Sequence, residues 1–211
     1  MRSWFVISAF GFISLGRAVV FGQLDTFASG LENWAGSSPA LGLGGPAGGS
    51  DQYLRLQSGP GFAPKMAARN QVQWTGNFAG AGVSAVTLNV ANFGTSVIEL
   101  RVALFAVGGL EYTSTTSTSI AADGQWRSIS FSLAQSALTS VGANTNYAAL
   151  MAGVTNFQFR NNPGAPSGSG TQPNFTGIMG LDNVRAVPEP STVLALGFGG
   201  LMLRRRFRMS A

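Results

Sequence analysis

The sequence predicts an all-β protein, a single antiparallel β-sandwich of about eight strands between two terminal segments of a different kind. Three observations predict it. Short runs of strict apolar/polar alternation recur along residues 23–187, which is the period of half-buried strands. Charged residues make up only 10% of the chain while there are 29 glycines, a composition suited to many short strands joined by turns rather than to helices. Only AQSALTSV (134–141) reads as a short helix.

The strands follow in order. YLRL (53–56) and QVQW (71–74) come first. In VSAVTLNVANF (83–93), Val86, Leu88 and Val90 face one way and Thr87 and Asn89 the other. In SVIELRVALF (96–105), Ile98, Leu100, Val102 and Leu104 alternate with Glu99 and Arg101. LEYTSTTS (110–117), QWRSISFSL (125–133), NFQFR (156–160) and GIMGLDNVRAV (177–187) complete the set. Two glycine- and proline-rich stretches, 37–51 and 161–174, read as long loops, and no internal repeat is present. Eight such strands with turns between them make a sandwich.

The charge balance narrows the function. The net charge is +5 and the pI about 10.7. Residues 23–187 nevertheless carry seven basic and seven acidic side chains, so the excess lies in Arg2, Arg17 and the C-terminal arginines. A nucleic-acid surface needs clustered cations to displace counterions, so nucleic acid is excluded as a partner. There is no cysteine, hence no disulfide framework, and no histidine, the commonest general base and metal ligand. A glycosidase needs two carboxyls about 5–10 Å apart, and most of the seven acids fall at strand ends and turns, where Asp is favoured structurally. A Ser nucleophile has no His to activate it. The expectation is a protein without catalytic residues.

The ends carry targeting features. Residues 1–22 have signal-peptide order: Arg2, the apolar run WFVISAFGFISLG (4–16), then small residues at Ala18 and Gly22 where cleavage is expected. At the other end stands VPEPSTVLALGFGGLMLRRRFR (187–208). Pro188 and Pro190 hold the backbone extended. The apolar stretch 191–203 is about 20 Å long as a helix, short of a hydrocarbon core of about 30 Å, and glycines thin it. Arg204, Arg205 and Arg206 favour the cytoplasmic face.

This tail resembles the PEP-CTERM sorting signal of Gram-negative bacteria in all three of its parts. The resemblance implies processing by an exosortase, with Pro188, Glu189 and Pro190 as recognition element and Arg204, Arg205 and Arg206 as topological stop. It implies transient residence in the inner membrane, then the cell surface or extracellular matrix. The body is similar to the jelly-roll domains of carbohydrate-binding modules and the galactose-binding-like fold, at DTFASGLENW (25–34), DGQWRSISFSL (123–133) and GLDNVRAV (180–187). In such domains a structural calcium often ties first strand to last; Asp25 and Asp182 occupy the matching places, with Asp51 as a third acid. For an extracellular polysaccharide partner the useful groups are exposed rings that stack on sugar faces. Trp34, Tyr53, Trp74, Tyr112, Trp126 and Tyr147 are the rings to consider, and Trp74, Tyr112 and Trp126 are the carbohydrate-binding candidates. Trp126 is out of phase with Ile129, Phe131 and Leu133; it either faces solvent or covers the sandwich edge.

Overall fold

The computed structural model describes residues 18–188. The expected leader before residue 18, Glu189, Pro190 and Arg204–Arg206 lie outside the described residues. Among the described residues thirteen strands form: β1 Leu24–Asp25, β2 Trp34–Gly36, β3 Ala40–Gly45, β4 Gly48–Ser58, β5 Ala67–Asn70, β6 Val83–Asn92, β7 Ile98–Ala106, β8 Leu110–Ser114, β9 Thr118–Ile120, β10 Arg127–Ser132, β11 Leu138–Ser140, β12 Val154–Asn161 and β13 Gly177–Pro188. Among the described residues one α-helix, α1, spans Tyr147–Ala152. The first sheet has the order β10-β6-β13-β4-β3, with β1 pairing β13. The second has the order β11-β8-β7-β12-β5-β2, with β9 pairing β7. All strand pairings are antiparallel.

The alternation seen in the sequence sets the two layers. Val86, Leu88 and Val90 of β6 and Leu54 and Leu56 of β4 face Leu100, Val102 and Leu104 of β7 and Phe157 and Phe159 of β12, all buried in one core. At one side of this core the carboxylate of Asp25 is buried between two indoles. Its Oδ2 accepts from Trp34 Nε1 and Trp74 Nε1, each at 2.7 Å, and from Gln73 Nε2 at 3.3 Å. Trp34 stacks on Phe159 at 5.8 Å, so this charge-assisted node joins β1, β2 and the core aromatics.

Four local expectations change. QVQW (71–74) is a turn, because Asn70 Oδ1 accepts the backbone N–H groups of Val72, Gln73 and Trp74 and closes the chain on itself. The segment 134–141 is not an α-helix. A 3-10 turn at Gln135–Ala137 leads into β11, whose residues pair with β8; the helix forms at 147–152, capped by Asn146 Oδ1 accepting from Ala149 N at 3.0 Å. The supposed loop 37–51 holds β3 and the start of β4, a hairpin closed by Gly45 opposite Gly48. Its glycines hid the strand, yet Gly42 is required there, since the Tyr53 ring fills the place of a Cβ. Val19, assigned by sequence to the leader, is buried and donates its N–H to Thr75 O at 2.8 Å, so 19–22 fold with the body.

Candidate functional site

The two outer faces of the sandwich differ. Over the second sheet lies the segment 162–171, held down by two buried arginines. Arg101 donates to the carbonyls of Asn162, Ser114 and Gly164 at 2.6–2.9 Å. Arg160 pairs with Glu111 at 2.8 Å and donates to Ser167 O. Ser169 N donates to the same Glu111 carboxylate at 2.7 Å, and Lys65 Nζ reaches Gly170 O at 3.1 Å. That face is covered by the chain's own backbone.

The outer face of the first sheet carries side chains instead. Trp126, just before β10, donates its Nε1–H to Gly44 O of β3 at 3.0 Å. These strands stand at opposite ends of the sheet order. In a flat sheet four strand spacings would part them by about 19 Å, beyond the reach of an indole, so the sheet curls and this face is concave. In the concavity Trp126 meets Tyr53 of β4 edge-on at 5.1 Å and Phe93 at 5.8 Å, with Tyr53 and Phe93 themselves 5.6 Å apart. Gly180 of β13 forms their floor. A Cβ on Gly180 would stand 2.8 Å from Trp126 and 2.9 Å from Phe93. Trp126 and Phe93 stay half-exposed while Tyr53 is buried.

Polar groups flank the rings. Arg55 of β4, half-exposed, donates to Gln57 Oε1 at 2.9 Å. Asp182 of β13 is 1% exposed. It sits opposite Asn89 in a cluster where Asn183 donates to Asp182 through its backbone N at 2.7 Å and to Asn89 Oδ1 through its amide at 3.1 Å. Burial, with Asp51 and Glu32 crowding it, pushes the Asp182 carboxyl up to about 7. Its folded value thus exceeds the unfolded one near 3.8, so the folded protein binds a proton that the unfolded chain has lost. Stability falls as pH rises from about 4 and levels off above about 7. Asp25 and Glu32, whose carboxyls burial also pushes up, act in the same direction. We expect Asp182→Asn to flatten most of this slope and to exceed the wild type in stability at about pH 8 by roughly 1–2 kcal/mol, since solvent screens part of the burial penalty. Urea unfolding of both proteins across pH 4–8 reads it.

The structure separates the residues that sequence reasoning grouped. Trp74 is 0% exposed and committed to Asp25; Tyr112 is 4% exposed and its hydroxyl donates to Thr145 O. Neither ring can lie against a sugar, and both are corrected to core residues. Trp34 is buried as well, and Tyr147 Oη donates to Leu133 O at 2.6 Å. Of the three candidates Trp126 alone reaches an outer face. Asp25 lies on the core side of the first sheet opposite Val184, whereas Asp182 alternates to the outer side with Asn89. Among the described residues no three His, Cys, Asp or Glu side chains group to hold a metal ion. Phe93 is not among the sequence candidates, all of them Trp or Tyr, although it continues the outward phase of Thr87 and Asn89. Phe62, 48% exposed, was missed too; with Pro60, Pro64 and Phe175 it lines a hollow of about 460 Å³ where β4 ends and β13 begins.

No family model matches the sequence, and no curated protein matches it. Solved structures do match. A family 11 carbohydrate-binding module from Clostridium thermocellum, in complex with a β-1,3-1,4-mixed-linked tetrasaccharide, aligns over 81% of this chain and 97% of its own with a TM-score of 0.50 and 11% identity. The module of the cellulase Lic26A-Cel5E from the same organism aligns with 0.50 and 11% identity over 81% and 96%. An exo-β-agarase aligns with 0.56 and 12% identity over 80% of this chain but only 25% of its own. The fold is thus the jelly-roll sandwich found in carbohydrate-binding modules, and in the enzyme it corresponds to a quarter of the chain.

Proposed function

We propose that this chain is a non-catalytic glycan-contacting module, exported and sorted to the envelope or matrix by its PEP-CTERM-like tail. The observation that carries the first part is the concave face of the first sheet, with half-exposed Trp126 and Phe93 on a glycine floor beside Arg55, Gln57 and Asn89. Half-exposed rings offer a flat apolar surface for a pyranose face, and the amide and guanidinium groups beside them match its hydroxyls. The matched modules support the reading by their fold and by the tetrasaccharide in one of them. Absence of cation clustering in the body's sequence favours a neutral polysaccharide over an anionic one.

Titration calorimetry with mixed-linked β-glucan, agarose oligosaccharides and exopolysaccharide from the producing cells tests it. We expect binding to at least one of these, weakened about tenfold or more by Trp126→Ala and unchanged by Tyr112→Phe. Equal binding by the Trp126→Ala protein, or none to any of the three, rejects the reading. The export part has its own test. Gly16 and Ala18 place small residues three and one before Val19, and Val19 is the first buried residue of the body. Mass spectrometry of protein from native envelopes should find a chain that begins at Val19 and lacks everything beyond the Pro188–Pro190 segment; an intact arginine tail in the mature protein contradicts it.

A further inference from the structure

The end of the sandwich remote from the Phe62 hollow is where both chain ends attach. β13 finishes there at Pro188, opposite Val83. Ala186 N donates to Gln23 O at 2.9 Å, so the turn Val20–Gln23 stands beside the last residues of β13. This turn is closed by Gln23 N on Val20 O, with Gly22 at φ +71°. Exposed turns favour Gly, Asn, Asp and Ser, yet here Val20 is 58% and Phe21 51% exposed, with Leu24 49% exposed next to them. Arg185, exposed and opposite Leu24, adds a cation at the same place. The apolar sequence 191–203 begins three residues after Pro188, a distance of at most about 10 Å.

The geometry points to this end as a lipid-contacting surface: Val20, Phe21 and Leu24 seat the sandwich in the headgroup region of a bilayer, with Arg185 against anionic headgroups. The inference rests on the reading of 191–203 as a membrane-entering tail. Once that stretch enters hydrocarbon, the short connection holds the turn within reach of the headgroups. Apolar side chains gain there what a polar turn would not, and a basic residue beside them adds attraction to anionic lipid. The strands then rise from the membrane, since β13 runs about 37 Å from Pro188 to Gly177. The concave face flanks these strands, so it stays open to polysaccharide while the protein is still membrane-bound.

The chain has no cysteine, so single labels are clean. Phe21→Cys and Phe62→Cys proteins that begin at Val19 and keep the C-terminal tail, each carrying a nitrobenzoxadiazole label, are reconstituted with phosphatidylethanolamine/phosphatidylglycerol vesicles. We expect the label at 21 to shift to the blue and to be quenched by brominated lipid, while the label at 62 keeps its aqueous spectrum. A Val20→Cys label should behave as 21 does, which guards against a local folding defect. Protein that floats with vesicles yet keeps an aqueous label at 20 and 21 overturns this inference and leaves the tail reading standing. Equal response at 21 and 62 also overturns it, as adsorption without orientation. Protein that does not float overturns both.

Discussion

Asp25→Ala is expected to lower the unfolding free energy by about 3–5 kcal/mol. The substitution removes the acceptor of two buried indole N–H groups and of the Gln73 amide. Each buried donor left without a partner costs about 1–3 kcal/mol, and Trp34 and Trp74 are 2% and 0% exposed, so water cannot replace the carboxylate without opening the core. For a domain of this size the loss corresponds to a fall in melting temperature of about 10 °C or more. Asp25→Asn keeps one acceptor oxygen and should recover roughly half of the loss. Thermal and urea unfolding of the two variants measure this. An Asp25→Ala protein within about 1 kcal/mol of the wild type would show that the indoles do not depend on the carboxylate.

Arg160→Ala should be comparably severe, for a different reason. Arg160 is 0% exposed and its guanidinium serves two elements at once, Glu111 on β8 and the carbonyl of Ser167 in the covering segment. Removing it leaves the Glu111 carboxylate without its counter-charge at the base of that segment. Loss of one partner of a buried pair costs about 3–5 kcal/mol. Arg160→Lys keeps the charge but not the fork that reaches both partners, and should restore only part. Hydrogen exchange distinguishes this from general destabilisation. Amides of 164–171 should lose protection first, while those of β6 and β13, under the concave face, keep theirs. Uniform loss across both sheets would mean that the arginine supports the whole sandwich and not the covering segment.

Much of this architecture was legible in the sequence, and where it was not the reasons are physical. β6 and β7 are long enough to show alternation, and their period alone assigned the inner and outer sides correctly, whereas β13 changes phase at the bulge between Asp182 and Arg185. Trp126 was readable as outward from its phase against Ile129, Phe131 and Leu133, and Phe93 lay in the outward phase of its own strand. Two- to four-residue strands such as β1, β2 and β9 are too short to show a period. β3 is half glycine, so nothing local marks it as a strand; it is defined by its pairing with β4, and the Tyr53 ring takes the space a Cβ on Gly42 would fill. The turn at 71–74 has apolar and polar residues in strand-like order, and one side chain, Asn70, overrides that order by capturing three backbone N–H groups.

By itself the sequence determined the class of fold and the neutrality of the body. These follow from composition and short-range periodicity, which do not depend on what lies across the sheet. Only the tertiary structure decided which rings are available. Trp74 and Trp126 are the same residue type in similar polar contexts, yet one is closed over a buried carboxylate and the other lies across a curled sheet. The difference arises from residues far apart in the chain, Asp25 for Trp74 and Gly44 and Gly180 for Trp126. Local pattern tells which side of a strand a residue takes; what waits on that side is set by the strands that pack there.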